Sequence, residues 1–356
     1  MDTSLISQNV RRVVEEAMQV GRIPGMIVAV ARGQTSVEYL AIGDDALGRP
    51  LAHDTLFPVA SITKLATALV VLRLAEDGAL TLDDQLSEHL PDALAAQNGV
   101  TIRRLLSHSA GLPIDVSSQA APYSPGLDWP QLRAACLETA LEAPPGTRVQ
   151  YDNVGYGLLA AVAERRTKRG FADALRDLVL NPLGIEGYLG SDPAREVATL
   201  ADVRGSQRGG ELEPFNSAFW RALALPWAGL VTTAAGALAL VRAFQGYPAD
   251  FLRPDMRAEA TCNQTGDLAG GFVKPLYWSP CPWGLGPDLR GAKMPHWVPL
   301  EAGAESFGHS GASGCVAWAA PTAGIAWAIL GTRTADSGWL LRRAPAIGAA
   351  ILMGAR

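Results

Sequence analysis

Lysine, histidine and cysteine are scarce in this chain. Its 356 residues include four lysines, five histidines and four cysteines. No histidine stands in an HExxH pattern or a comparable ligand pair, so a metal hydrolase is disfavoured. The cysteines show no CxxC spacing and indicate neither a disulfide framework nor a zinc knuckle; they are Cys136, Cys262, Cys281 and Cys315. We therefore expect no metal ion and no other cofactor.

Long apolar runs and blocks of positive charge are also missing. The longest apolar stretch, residues 65–72, stops at Arg73 and is too short to span a bilayer. The net charge is -5, and no block of basic residues is longer than the short cluster within 165–169, so the sequence predicts neither a nucleic-acid nor a membrane partner. The first 25 residues lack a basic start followed by an apolar run, so we expect no export signal and a cytoplasmic protein.

The rest of the composition is typical of a globular protein, with 48% hydrophobic and 18% charged residues. Hydrophobic periodicity predicts an amphipathic N-terminal helix. Two short runs rich in β-forming residues then predict a hairpin of strands at 26–32 and 36–42. Two further strands are predicted at 314–319 and 324–331, before a last helix. Most of 58–240 is predicted to be helical, with Pro- and Gly-containing loops between the helices.

Strands near both ends of a chain, with helices between them, predict one sheet that both ends complete. The predicted fold class is α/β of the α+β type, with a mainly antiparallel sheet flanked by helices and an all-helical central lobe. On this division, residues 1–58 and 241–356 form the sheet domain, and residues 59–240 form the helical domain. We expect a catalytic cleft between the two domains.

The first candidate site is Ser61-Ile62-Thr63-Lys64, at the start of a strong helical pattern. Residues three apart share one face of a helix, so Lys64 could take the hydroxyl proton of Ser61. A lysine can be this base only if burial or nearby positive charge lowers its pKa from about 10.4. Taken alone, the pair fits an N-capping serine and a solvent-facing lysine about equally well.

The second candidate is Tyr151-Asp152-Asn153, at a junction between a loop and a predicted helix. Tyr151 could act as a general base in a phenolate form stabilised by Lys64, or as an acid towards the leaving group. Asn153 could bind the substrate carbonyl or Lys64. The alternative is a helix cap at Asn153 beside a packed tyrosine.

The third candidate is the segment 308–312, Gly-His-Ser-Gly-Ala, next to a predicted strand. Its small residues would let a substrate lie against a strand edge, and the backbone N–H of Ala312 could join that of Ser61 in an oxyanion hole. A histidine such as His309 is, by itself, more often a structural residue.

Together, Ser61-x-x-Lys64, Tyr151-x-Asn153 and His309-Ser310-Gly311 resemble the serine β-lactamase and penicillin-binding-protein superfamily. Within it, the chain is most similar to class C β-lactamases, DD-carboxypeptidases and family VIII carboxylesterases. The segments 105–112 and 283–286 also look like parts of this family. The resemblance implies a β-lactamase/transpeptidase-like fold and a two-step reaction through an acyl-enzyme.

In that reaction the resemblance makes Ser61 the nucleophile, while Lys64 and Tyr151 share the proton transfers. It does not decide which of these two residues is the base. The residues that bind substrate would be Asn153, His309, Ser310, Gly311 and Ala312.

His309 departs from the family pattern. Typical β-lactamases and penicillin-binding proteins have lysine at this place, and that lysine helps to hold an anionic carboxylate. A neutral histidine attracts the carboxylate of a penam less, although some DD-peptidases also have His-Thr-Gly here. Together with the missing export signal, this favours a carboxylesterase that acts on short-chain esters.

Two other functions stay open. The same motifs would serve a β-lactamase or a D-amino-acid carboxypeptidase or amidase, whose small-molecule substrates are lactams or amides. A protein that keeps this fold could also be a penicillin- or acyl-binding sensor without catalysis. An α/β-hydrolase is disfavoured because the chain has no Gly-x-Ser-x-Gly elbow. The sequence leaves the oligomeric state open.

Overall fold

The computed structural model describes residues 5–272 and 275–354. Its helices, in chain order, are α1 Gln8–Gly21, α2 Thr63–Glu76, α3 Leu86–His89, α4 Ile102–Leu106, α5 Trp129–Leu137, α6 Val154–Thr167, α7 Phe171–Leu175, α8 Ala218–Ala222, α9 Ala234–Gln245, α10 Pro254–Ala260 and α11 Trp339–Gly354. Its strands are β1 Gly25–Arg32, β2 Glu38–Gly43, β3 Phe57–Pro58, β4 Val149–Gln150, β5 Gly187–Tyr188, β6 Val231–Thr232, β7 Gly270–Gly271, β8 Tyr277–Trp278, β9 Asp288–Leu289, β10 Phe307–Gly311, β11 Cys315–Ala320 and β12 Ile325–Gly331.

Both ends of the chain build the main sheet. Its strand order is β2-β1-β12-β11-β10-β9, and every neighbouring pair is antiparallel. The N-terminal strand β1 lies against the C-terminal strand β12, with Val28 opposite Ile329. A short turn, Pro321–Ala323, suffices to join β11 to β12 because antiparallel neighbours need no crossover. The predicted fold class is confirmed.

The central strands of this sheet are buried on both faces. In β1, Ile27 and Ala29 pack into the core shared with the central helices, whereas Met26 and Val28 pack into the core under α1 and α11. This alternation follows from the pleat of a strand, which points successive side chains to opposite faces. Burial on both faces explains why β1, β11 and β12 are nearly continuous apolar runs in the sequence.

Helix α1 covers the outer face of the sheet together with α11. The Ser7 hydroxyl caps α1 by accepting the Val10 N–H at 3.3 Å, and Arg22 ends the helix in a left-handed conformation. Val10 and Val14 are buried on the side that faces the core. The amphipathic helix predicted at the N-terminus is therefore present.

Helix α2 follows a 3-10 turn at Ala60–Ile62 and lies inside the protein. Residues 63–72 are all buried, and the helix packs against α6, α7 and α9. A helix that is apolar on every side is typical of such an interior position. Even so, no helix within the described ranges is long and apolar enough to cross a membrane.

Helix α9 packs on β1, β11 and β12 and also touches α2. It crosses the predicted domain division between residues 240 and 241, so the same helix touches both regions. The central segment also contains the two-residue strands β4, β5 and β6 among its helices. The division into two domains stays a prediction.

Candidate active site

Ser61 lies at a strained corner between β3 and α2. The preceding residue, Ala60, has a φ of +45°, a left-handed conformation that costs a residue with a Cβ about 1–2 kcal/mol. The corner is held by the Val59 N–H, which donates to the Leu230 carbonyl at 3.0 Å, and by the Thr63 hydroxyl, which donates to the Ala60 carbonyl at 2.6 Å. Ser61 is left half-buried and lines a cavity.

The end of β10 packs against this corner because Gly311 has no side chain. A Cβ at Gly311 would lie 2.4 Å from the Val59 carbonyl oxygen and 3.3 Å from the Ala60 Cβ. The close approach brings the next residue, Ala312, to the same cavity that Ser61 lines. The two backbone N–H groups expected to form an oxyanion hole thus belong to residues that line the same cavity.

Lys64 is fully buried, with 0% of its surface exposed. Its Nζ donates to Asn153 Oδ1 at 2.7 Å and to the Trp227 carbonyl at 3.1 Å, and it lies 4.6 Å from the centre of the Tyr151 ring. Burial lowers the pKa of Lys64 to about 7, against the charges of Asp152 and Asp115, which raise it. The amine is therefore neutral in a substantial fraction of molecules near neutral pH. The alternative of a solvent-facing lysine is excluded.

Tyr151 is buried between aromatic rings. Its ring stacks on Phe272 at 4.1 Å and lies 4.7 Å from the ring of His108. The hydroxyl has no hydrogen-bond partner within the described structure, although Ser61 is near enough to influence it. Burial raises the pKa of Tyr151 well above its ordinary value, and the Ser61 side chain only partly offsets this effect. The hydroxyl therefore keeps its proton at neutral pH.

Asn153 connects Lys64 to a carboxylate. Its Oδ1 accepts from Lys64, and its Nδ2 donates to Asp115 Oδ2 at 3.2 Å. Asn153 is the N-cap residue immediately before α6, but its side chain makes no capping bond. Instead, Asp152 Oδ1 accepts the Gly155 N–H at 2.6 Å. The side chain of Asn153 is thereby left available to the site.

His309 is buried in the middle of β10, a strand that pairs with β11 and β9. Its Nδ1 donates to the Ser310 carbonyl at 2.7 Å, and its Nε2 has no partner within the described structure. Burial and the nearby charge of Lys64 lower the pKa of His309 to about 3. His309 is therefore neutral at physiological pH, and its ring lies 5.9 Å from that of Tyr151. Ser310, the next residue, is half-buried.

His108 and Asp152 form a buried pair next to Tyr151 that the sequence did not reveal. His108 Nδ1 lies 3.0 Å from Asp152 Oδ2, although 44 positions separate the two residues. His108 has a φ of +55°, a strained conformation that turns its ring towards Tyr151. His108 lies in the segment 105–112 that looked like part of the family, but the sequence did not indicate that its partner is Asp152.

Asp288, Lys293 and His296 form a buried ionic cluster beside the tryptophan Trp283. Asp288 accepts a hydrogen bond from Lys293 and lies 3.1 Å from His296 Nε2, while Lys293 Nζ lies 4.9 Å from the centre of the Trp283 ring. Burial alone would raise the pKa of Asp288, but Lys293 and His296 lower it to about 2. The ring centres of Trp283 and Tyr151 are 5.9 Å apart, so the cluster supports the aromatic packing around Tyr151.

Replacing Lys293 with methionine is expected to lower the free energy of unfolding by about 3–5 kcal/mol, because Asp288 then remains buried without its ammonium partner. Urea unfolding followed by circular dichroism measures the change. Lys168→Met is the matched control, since Lys168 is exposed at the end of α6 and its loss should cost less than about 0.5 kcal/mol. Equal costs for the two substitutions would contradict the prediction.

The cavity beside Ser61 has a volume of about 410 Å³, a size typical of small-molecule sites. Its lining is mainly aromatic and aliphatic. The apolar lining residues are Ala60, Val116, Ala121, Tyr123, Leu127, Leu132, Phe215, Trp220, Leu223, Leu225, Trp227, Ala228 and Ala312. Its polar lining residues are Ser61, Asp115, Ser118 and Asn153. Across residues 5–272 and 275–354, no group of three or more His, Cys, Asp or Glu side chains is placed to hold a metal ion.

Most of the chain is similar to known proteins. A family model described as Beta-lactamase matches residues 10–350. The crystal structure of a penicillin-binding protein homologue from Caulobacter crescentus superposes with a TM-score of 0.74 at 27% sequence identity, covering 96% of this chain and 96% of that one.

Two curated proteins are similar to parts of the chain. Esterase EstB of Burkholderia gladioli is 34% identical over 218 residues, which cover 55% of this chain and 55% of EstB. Protein flp of Staphylococcus aureus (strain MW2) is 28% identical over 182 residues, which cover 49% of this chain and 36% of flp. The aligned segments thus span about half or less of these relatives' own lengths.

Proposed function

The chain belongs to the Beta-lactamase family and has the fold of its serine hydrolases, and from this premise we propose that it is a carboxylesterase that hydrolyses short-chain esters. The observation that carries the ester preference is the neutral, buried His309 in the third motif. A neutral imidazole offers a lactam carboxylate no positive charge. The mainly apolar cavity and the similarity to an esterase over about half of the chain agree with this choice.

In the proposed reaction, Ser61 Oγ forms a bond to the ester carbonyl carbon while its proton passes to the neutral amine of Lys64. The negative oxygen that develops is stabilised by the backbone N–H groups of Ser61 and Ala312. The carbon–oxygen bond to the alcohol then breaks. A water molecule later attacks the acyl-enzyme, releases the carboxylic acid and restores the hydroxyl of Ser61.

Lys64 is proposed as the base and Tyr151 as the acid because burial lowers the pKa of the amine and raises the pKa of the phenol. Lys64 has a pKa of about 7 and can accept a proton at neutral pH, whereas the raised pKa of Tyr151 keeps its phenol protonated. Tyr151 would give its proton to the departing alcohol and regain one from Lys64, so that no net proton is lost. Asn153 would hold Lys64 in place through its carbonyl oxygen.

The side chains and backbone of β10 are proposed to border the alcohol part of the ester. His309 lies beside Tyr151, which would protonate the alcohol, and Ser310 follows it on the strand. Gly311 leaves the space in which the strand end meets the serine corner. These residues would therefore contact the leaving group rather than the acyl group.

A panel of three substrates tests the proposed function. Turnover of p-nitrophenyl butyrate, nitrocefin and D-alanine p-nitroanilide is measured with the same enzyme preparation. We expect the highest kcat/KM for the butyrate ester. Nitrocefin turnover far above ester turnover would instead identify a β-lactamase, and preference for the anilide would identify an amidase. Failure of a fluorophosphonate and of penicillin to form any adduct would favour the acyl-binding sensor.

The pH profile of ester hydrolysis should show an acid limb set by Lys64. Because the base must be neutral, kcat/KM is expected to fall about tenfold per pH unit below a pKa of about 7 and to level off above it. Asp115→Asn removes a negative charge that raises the pKa of Lys64, so the limb should move to lower pH in that variant. Initial rates measured in buffers of constant ionic strength give the pH profiles of the wild type and of Asp115→Asn. A profile without an acid limb near this value would argue against Lys64 as the base.

A further inference from the structure

Asp115 is the one charged side chain among the described residues that line the cavity beside Ser61. It lies in the loop after α4, 38 positions before Asn153. Its Oδ2 accepts from Asn153 Nδ2 at 3.2 Å, and its Oδ1 accepts from the Val116 N–H at 3.1 Å. A carboxylate has about four acceptor positions, so these two bonds leave it able to receive more donors from a bound molecule.

The Asn153 amide separates Asp115 from the ammonium of Lys64. Asn153 receives a hydrogen bond from Lys64 on one side and donates to Asp115 on the other. Lys64 therefore does not pair directly with Asp115, and no Lys, Arg or His of the described chain lines this cavity. The negative charge of Asp115 faces the cavity without a cationic protein partner there.

The walls around Asp115 are apolar. Aromatic side chains of three different loops and helices surround the space, including Tyr123, Phe215 and Trp220. Such walls bind an apolar side chain by removing its surface from water. The cavity thus combines one negative charge with a volume suited to an apolar group.

The position of the cavity relative to Ser61 indicates which part of a substrate fills it. The cavity is lined by Ser61 and Ala312, which carry the proposed oxyanion donors, but not by Tyr151 or His309, which border the proposed alcohol side. A carbonyl attacked by Ser61 would therefore extend its acyl group into the cavity, towards Asp115.

We propose that Asp115 binds the ammonium group of the acyl donor, so that the preferred substrates are esters of amino acids with apolar or aromatic side chains. This inference rests on the proposed ester hydrolysis at Ser61. A charge-assisted hydrogen bond between a carboxylate and an ammonium favours the cationic substrate, and the same charge disfavours an anionic one. Asp115 is accordingly a specificity-determining residue, and its charge excludes acyl groups that carry a carboxylate.

Three methyl esters that differ in one group test this inference. They are phenylalanine methyl ester, methyl 3-phenylpropanoate and the monomethyl ester of benzylmalonic acid, which carry an ammonium, a hydrogen or a carboxylate at the same carbon. Both enantiomers of phenylalanine methyl ester are assayed separately below the pKa of their amine. The readout is the ratio of kcat/KM for the cationic ester to that for the neutral ester, because this ratio cancels any general loss of activity.

In the wild-type enzyme we expect the cationic ester to be preferred for at least one enantiomer and the anionic ester to be the poorest substrate. Asp115→Asn should reduce the ratio of cationic to neutral ester by about 10- to 100-fold, and Asp115→Glu should restore part of it. Asp92→Asn, at an exposed position outside the cavity lining, is the matched control and should leave the ratio unchanged.

Two failures of this experiment are distinguishable. If Asp115→Asn changes the ratio by less than twofold, or if the wild-type enzyme does not prefer a cationic ester, Asp115 does not select the substrate, even though ester hydrolysis itself stands. If the wild-type enzyme hydrolyses none of the esters and forms no fluorophosphonate adduct, the proposed function fails. A cooperative thermal unfolding transition, followed by circular dichroism and close to that of the wild type, verifies that the Asp115→Asn variant is folded.

Discussion

Replacing Ser61 with alanine is expected to lower kcat for p-nitrophenyl butyrate by about 10⁴- to 10⁶-fold. The substitution removes the only atom that the proposed mechanism uses as a nucleophile, and no group in its place can form the acyl-enzyme. The strained corner at Ala60 is held by backbone contacts and by Thr63, so it does not depend on the Ser61 hydroxyl. The variant should therefore fold like the wild type and lose only the chemistry.

Intact-mass spectrometry after treatment with a fluorophosphonate provides an independent readout of Ser61. The wild-type protein should gain the mass of one adduct, and Ser61→Ala should gain none. Ser87→Ala is the matched control, because Ser87 is exposed on the short helix α3. An adduct of unchanged stoichiometry in Ser61→Ala would place the nucleophile elsewhere and would overturn the mechanism.

Replacing Lys64 with methionine is expected to lower kcat by about 10³- to 10⁴-fold. Methionine has nearly the same shape but cannot accept the Ser61 proton, and it leaves the Asn153 and Trp227 carbonyl oxygens without their donor. Lys64→Arg separates the two roles of the lysine, since it keeps a positive charge and donors but does not lose its proton in proteins. Both variants should be similarly inactive if Lys64 is the base.

The rate of hydrolysis and the thermal unfolding temperature are measured for both Lys64 variants and for Lys168→Met. The control should match the wild type in both properties, because Lys168 is exposed. Residual activity in the Lys64 variants should also lack the acid limb near pH 7. If Lys64→Arg retained most of the wild-type rate, the lysine would act by its charge alone, and Tyr151 would become the candidate base.

Burial and neighbouring charges act on the pKa of Lys64 in opposite directions. Full burial lowers its pKa, while Asp152 and Asp115 limit the fall by stabilising the charged form. With burial alone, the pKa of Lys64 would be lower still. A pKa close to the working pH combines a large neutral fraction with useful basicity.

The sequence by itself was sufficient for the features that depend on local patterns. Apolar runs near both ends predicted the strands of the main sheet, and the structure has β1, β2, β11 and β12 at those places. The pattern around Ser61 and Lys64 predicted a helix, and α2 follows the 3-10 turn that carries Ser61. These predictions succeed because the type of element depends on a short run of neighbouring residues. An apolar run of six to eight residues between turns indicates a buried strand, and a longer apolar run indicates a buried helix. The order of the three motifs was likewise readable without a structure.

What only the tertiary structure decided is how distant segments change the properties of those residues. The partner of Lys64 on the Trp227 backbone is 163 positions away, and His108 reaches Asp152 across 44 positions. The cluster of Asp288, Lys293 and His296 has no sequence pattern that announces its burial. Burial and partner geometry set the charge state of each group, and both depend on long-range packing. The candidate nucleophile was thus visible in the sequence, whereas the neutral state of His309 and the charged cavity wall required the folded chain.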